Sequence, residues 1–286
     1  MSSTIRFKKG AGVFLSLGLF LSGFALTAFS QEAGASSETT KKWMKKPAFA
    51  FKLGGFFPSL SMDIRVDPPD GGEGTDVSLD KDLGVAKSGS TIRLDGDLRL
   101  AKWFSLAVNY YAFKRTAEQP ISKEITIGDT VYPVNQTVKT TLTPTFTNLD
   151  AKFYILHRER LDFGVYAGVY ATHFKLDFEA MEAGRQLLEI KKLWAPIPSA
   201  GLHFWYQPIP KMLVYAKAGY FKYNSKRADF ESATFNLNLE YYFYKFVGIG
   251  GRYEYSDMNL NLSLAGYKGE IDYNISGFQA YVTLAF

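Results

Sequence analysis

From Thr91 to Ala101 the chain alternates without a fault. Ile92, Leu94, Gly96, Leu98 and Leu100 fall on one face, and Arg93, Asp95, Asp97 and Arg99 fall on the other. A strand separates such a sequence cleanly because its side chains repeat with period two, whereas a helix would spread both sets around its axis. The resulting ribbon needs lipid or a core on one side, and water or charged partners on the other. Arg or Lys turned toward the middle of a bilayer would cost about 2–4 kcal/mol each. A one-residue slip, which exchanges the two faces, is therefore strongly opposed.

The same test succeeds elsewhere. In 104–113, Phe104, Leu106, Val108, Tyr110 and Ala112 oppose Ser105, Asn109 and Tyr111. In 233–243, Phe235, Leu237, Leu239 and Tyr241 oppose Asn236, Asn238 and Glu240, and in 247–255, Ile249, Tyr253 and Tyr255 oppose Arg252 and Glu254. Weaker alternation runs through 48–57, 147–156, 161–172, 194–206, 212–221 and 276–286. Short connections (Lys102-Trp103, His157 to Arg160, Gln207 to Lys211, Tyr244-Lys245) alternate with long polar ones near 58–89, 115–140, 178–191, 224–230 and 257–272. The pattern predicts an all-β, membrane-spanning, antiparallel up-and-down barrel over 47–286. Ten strands fit best and the pattern also allows eight or twelve. Leu60, Met62, Ile64 and Val66 alternate too, as do Ile125 and Ile127, so some strands are expected to continue above the membrane.

The first thirty residues read as an address. Arg6, Lys8 and Lys9 precede an uncharged run from Gly10 to Gln31, and Ala28-Phe29-Ser30 places small residues for a cut before Gln31. That is a secretory signal peptide, 1–30. A polar linker, 31–46, follows on the periplasmic side and holds Lys41, Lys42, Lys45 and Lys46. Three of the 33 Lys+Arg leave with the signal, so 30 remain against 28 Asp+Glu and the net charge falls from +5 to +2. A nucleic-acid partner loses its support. With no Cys, disulfide scaffolds and thiol chemistry are excluded; three His give little for a multi-His metal site, and no cofactor or metal is expected.

At the other end, Phe278, Ala280, Val282, Leu284 and Phe286 occupy alternate positions of Gly-Phe-Gln-Ala-Tyr-Val-Thr-Leu-Ala-Phe. This resembles the terminal signal of bacterial outer-membrane β-barrel proteins, a final Phe preceded by alternating apolar residues. The resemblance implies recognition by the barrel-assembly machinery, an outer-membrane lipid environment and a periplasmic position for the short turns. An unpaired strand with one apolar face offers edge hydrogen bonds and a lipid-facing ridge together. Asp80-Lys81-Asp82-Leu83-Gly84 and Pro196-Ile197-Pro198 leading to Gly201-Leu202-His203 are similar to a group of small barrel proteins without an assigned activity.

If the alternation holds, Lys52, Arg93, Arg99, Arg115, Lys152, Lys217 and Arg252 point inward, together with Asp95, Asp97, Asp150, Asp162, Glu240 and Glu254. Buried ions cost several kcal/mol each unless they are paired, so near-balance is what a filled core requires. Inward Tyr111, Tyr166, Tyr170, Tyr215 and Tyr242 narrow the lumen further. The expectation is a charge- and tyrosine-filled monomer with a structural role or one of loop-mediated surface interaction. A narrow conduit for small solutes is the alternative.

A rim enzyme is the third reading, and the residues give it little. Ten-stranded outer-membrane proteases set acids and an Asp-His pair at the extracellular rim. Here Asp76, Asp80 and Asp82 lie in the first long loop, but His173 shares a face with Val169 and Ala171, toward the lipid interface. Lipid A deacylases carry a His-x-Ser pair. The residues two beyond His157, His173 and His203 are Glu159, Lys175 and Trp205. Asp80-Lys81-Asp82 lacks the spacing of a calcium loop. The chain is therefore not expected to be an enzyme. Trp103, Trp194, Trp205, Phe243, Tyr244 and Phe286 read as aromatic girdles, with an inward position as the alternative for Trp205.

Overall fold

The computed structural model describes residues 45–67, 74–127, 130–182, 185–225, 228–264 and 267–286. The leader and the linker up to residue 44 lie outside the described residues. The strands are β1 (Phe49–Asp67), β2 (Val77–Ser78), β3 (Thr91–Ala101), β4 (Phe104–Ala112), β5 (Arg115–Pro120), β6 (Ile125–Ile127), β7 (Thr130–Tyr132), β8 (Thr137–His157), β9 (Leu161–Glu182), β10 (Arg185–Ile209), β11 (Met212–Asn224), β12 (Ala228–Tyr242), β13 (Val247–Leu264) and β14 (Tyr267–Ala285). β1, β3, β4 and β8 to β14 form a closed, ten-stranded antiparallel barrel in chain order. β14 returns to β1 in continuous register from Ala50↔Ala285 to Asp67↔Lys268. All ten expected segments are present. The segment from Gly277 to Phe286 closes the barrel, with its apolar set (Phe278, Ala280, Val282, Leu284, Phe286) exposed on the outside.

The stretches expected as long polar loops are largely strand, because the two faces exchange character part-way up. On the outer face of β1, Phe49, Leu53 and Phe57 give way to Ser59, Ser61, Asp63 and Arg65. On the inner face, Lys52 gives way to Phe56, Leu60, Met62 and Ile64. On β8 the inward order runs Lys152, Asp150, Asn148, then Phe146, Leu142 and Val138. On β14 it runs Thr283, Tyr281, Gln279, then Ile275, Tyr273 and Ile271. The lower storey thus has lipid outside and charge inside. The upper storey has water outside and an apolar core inside, each fully buried large side chain adding roughly 1.5–3 kcal/mol.

Segment 77–89 completes the wall of this extension beside β1. β2 pairs with Asp63 and Ile64, and Gly89 N donates to Pro58 O at 3.1 Å. It buries Val77, Leu79, Leu83 and Val85, and the β6–β7 hairpin adds Ile125 and Tyr132 to the same cluster. The Asp80-Lys81-Asp82 turn is occupied by its own bonds. Asp80 accepts from Ser61, Ser78 and Lys87, and Asp82 accepts from Ser78 N and Lys123. Burial opposes ionisation of Asp80, but the bonds from Lys87, Ser61 and Ser78 outweigh it and hold the carboxyl below its ordinary range. Gly84 turns the chain at φ 67°, and a Cβ there would lie 2.4 Å from Gln119 Oε1.

The wall is not continuous everywhere. β10 pairs with β11 only from Gly201↔Gly219 downward, although β10 continues to Arg185 and β11 to Asn224. Pro196 and Pro198 stand just above the break. Neither has an N–H to offer β11, while the β9 ladder runs through both positions. Replacing both by Thr is expected to extend the β10–β11 ladder upward. Amide exchange at Tyr220 and Lys222 would slow, and unchanged exchange would count against the proline explanation.

Outward acids gather above the lipid belt on β12, β13, β14 and β1. Asp63 and Asp272 are direct cross-strand partners, with Glu231, Asp257 and Glu270 nearby. Partial burial and the neighbouring Glu270, Asp63 and Asp257 push the Asp272 carboxyl up to about 6. A raised acid pKa means that the folded state holds the proton more tightly. The associated stability is present at low pH and lost as pH rises through about 6. Asp272→Asn is expected to stabilise the extension at pH 7 by about 1 kcal/mol, after discounting for solvent screening. It should also flatten the dependence between pH 5 and 7, read by thermal melts at both pH values.

Candidate functional site

The lower lumen is the densest polar constellation in the structure. Its upper tier centres on Arg93, whose Nη1 donates to Glu254 Oε2 at 2.7 Å and whose Nε donates to Asp95 Oδ1 at 3.2 Å. Arg252 Nη1 donates to the same Asp95 oxygen at 2.6 Å. Asn236 supports Glu254, and Asn238 accepts from Arg252 Nε. Arg93 also lies 5.3 Å from the Phe56 ring and 5.0 Å from the Tyr111 ring. It is the joint between the charged lower lumen and the apolar core above.

The middle tier contains three separate pairs. Lys52 meets Glu240, which also accepts from Tyr242 at 2.7 Å and Tyr281 at 2.9 Å. Lys152 meets Asp97. Lys217 meets Asp150 at 2.5 Å, between the rings of Tyr166 and Tyr170. At the short-turn end, Asp162 is fully buried and receives Arg99 Nη2 at 2.8 Å and Lys46 Nζ at 2.5 Å, with His157 Nδ1 2.6 Å away. A polar cavity of about 110 Å³ remains in this region, lined by Asp97, Lys152, Tyr215 and Trp205 among others.

The structure therefore brings together twelve of the thirteen charged residues singled out from the sequence. Arg115 is the exception. It is buried, as its parity required, but β4 ends at Ala112 and Arg115 begins β5 in the extension, beyond reach of the lumen acids. Its guanidinium donates instead to the carbonyls of Ala86, Lys87 and Pro58, tying segment 77–89 to β1. Lys46, at the end of the linker, takes its place in the charge set. Sequence reasoning also passed over Tyr281 and Gln279, which inward parity alone would have found, and the Asp162 contact of His157, which opens a short connection and carries no periodic signal.

The three histidines lie in three separate places. His173 is exposed on the outer wall opposite Trp194, His157 lies at the short-turn end, and His203 is buried edge-on to Tyr154 at 4.9 Å between ring centroids.

By sequence, the chain matches no protein-family model and none of the curated proteins. Solved structures are similar to it. The outer membrane protease OmpT from Escherichia coli superposes with a TM-score of 0.56 at 11% identity, covering 87% of this chain and 100% of that one. The chain has the bacterial outer-membrane β-barrel fold. The translocator domain of the autotransporter NalP from Neisseria meningitidis gives 0.43 at 12% identity over 95% of this chain and 97% of that one. OprG from Pseudomonas aeruginosa gives 0.35 at 12% identity over 86% and 99%. At these identities the likeness concerns the fold, so the role of this outer-membrane barrel rests on its own interior.

Proposed function

We propose that this outer-membrane barrel is closed and non-conducting, that it works as a monomer without catalysis, and that its extracellular extension and loops make its contacts outside the cell. It reaches the membrane through a cleaved signal peptide, and the alternating segment ending at Phe286 is read by the assembly machinery. One observation carries the reading: an apolar core of Phe56, Tyr111, Phe146, Phe174, Ile197 and Tyr273 lies within the wall directly above the ion-pair network. An ion leaving the lower lumen upward would have to cross that core with its hydration removed, at a cost of several kcal/mol.

Planar-bilayer recording tests the proposal. The wild type is expected to give no stable single-channel steps. Large, regular steps would overturn the closed reading in favour of a solute conduit.

A further inference from the structure

The exposed charge at the short-turn end of the barrel is almost all of one sign. Every short turn has at least one base: Lys102 between β3 and β4, Arg158 and Arg160 between β8 and β9, Lys211 between β10 and β11, and Lys245 between β12 and β13. Lys45 and Lys46 add two more where the chain runs into β1. Among the described residues of these segments Glu159 is the single acidic side chain. Lys46 is committed to Asp162, but Lys45, Lys102, Arg158, Lys211 and Lys245 are exposed, and none of them enters an ion pair among the described residues.

Two of these bases adjoin rings that mark the edge of the lipid belt. Lys102 precedes Trp103, which is 61% exposed, and Lys245 lies between Tyr244 and Phe246, 75% and 38% exposed. Lys245 Nζ stands 4.7 Å from the Phe246 ring centroid. A base one residue from a girdle aromatic is held at headgroup depth, since Trp and Tyr settle at that level. The outer wall above the belt contrasts with it by mixing both signs in pairs: Arg65 with Glu270, Lys139 with Glu179, Lys175 with Asp177 and Lys222 with Glu231. A solvated, mixed surface would not sort its charges in this way.

We infer that the short-turn rim is a contact surface for anionic phospholipid headgroups in the leaflet it faces, with the five exposed bases as its ligands to phosphate. The occupant follows from charge and depth together. A soluble polyanion would match the charge, but not the adjoining lipid-facing rings. Placing this rim in the inner leaflet of the outer membrane rests on the orientation in the proposed function.

The full barrel, refolded into phosphatidylcholine vesicles containing about a fifth phosphatidylglycerol, gives the test, with one or the other lipid brominated near the top of the chains. The readout is the quenching that Trp103→Phe removes. One base against one anionic headgroup corresponds to roughly fivefold local enrichment, so brominated phosphatidylglycerol should quench well beyond its share. The excess should vanish at about 1 M salt, where the Debye length falls to about 3 Å. It should also vanish when Lys45, Lys102, Arg158, Lys211 and Lys245 are all changed to Gln, and survive when the four lysines become Arg. The salt measurement on the wild type keeps the test valid if the Gln variant folds poorly. Quenching by each lipid in proportion to its share of the bilayer overturns the inference. So does base-dependent retention on purified cell-wall polymer without any lipid preference. Orientation is read separately. The chain has no Cys, so Lys245→Cys provides a single thiol, and its reaction with an impermeant maleimide on intact cells would overturn the periplasmic placement while leaving the vesicle result standing.

Discussion

Replacing Arg93 by Leu is expected to cost about 3–5 kcal/mol, the range seen when one partner of a buried ion pair is removed. Arg93 is 2% exposed and serves Asp95 and Glu254 at once. Leu would keep the contacts with Phe56 and Tyr111 while leaving Glu254 with Asn236 as its remaining donor. Asp95 would still have Arg252, so the larger part of the loss falls on Glu254. The double change Arg93→Leu with Glu254→Leu removes the stranded charge together with the cation, and exchanging a whole buried pair for apolar side chains is often close to neutral. The double variant should therefore be more stable than Arg93→Leu alone. Urea unfolding in vesicles, followed by tryptophan fluorescence, measures both. A double variant that loses the sum of the two single losses would show that the pair is not coupled, and the tiered network would lose its central link.

The lower storey was legible because lipid imposes a harsh sorting rule. Arg93, Asp95, Asp97 and Arg99 alternate with Ile92, Leu94, Leu98 and Leu100, and a one-residue slip from the observed register would turn those four charges into the bilayer. The upper storey was harder to read for a physical reason. There the outer face meets water, so its residues are polar, and the inner face meets a core, so its residues are apolar. The expected connection near 115–140 takes in Val138, yet Val138, Leu142 and Phe146 share the parity of Asp150 and Lys152 on one strand. The alternation persists across the change of storey, but the assignment of polar to inward reverses. Arg115 was misjudged at that boundary. Its inward parity was right, and its partners are backbone carbonyls because it had already left the charged storey. Lys46 was missed for a different reason. A lysine ending a polar linker carries no periodic signal, and only the fold brings it to Asp162.

The reversal predicts that two substitutions on one strand fail in different ways. On β9, Val165 faces outward in the lipid belt, flanked by Phe153 and Leu202. Val165→Arg is expected to cost about 2–4 kcal/mol, the mid-bilayer penalty for an arginine, and to lower the yield of membrane-inserted barrel. Phe174 faces inward, nine residues further along and 1% exposed, with its ring edge-on to Phe146 at 5.9 Å and to Tyr273 at 5.3 Å. Phe174→Ala is expected to cost about 3–5 kcal/mol through lost burial and the cavity left behind. That loss should be confined to the extension. The barrel would still insert, while protease cleavage and amide exchange would rise around Met258, Leu260, Ile271 and Tyr273, which share its core. Lys175 lies on the same outward face as Val165 but above the belt, so Lys175→Leu should stay within about 0.5 kcal/mol of wild type, as surface substitutions usually do. If Val165→Arg inserts normally, the belt does not reach that height on β9. If Phe174→Ala destroys insertion as well, the two storeys fold as one unit, and the apolar core is a condition for building the membrane-spanning wall rather than an addition on top of it.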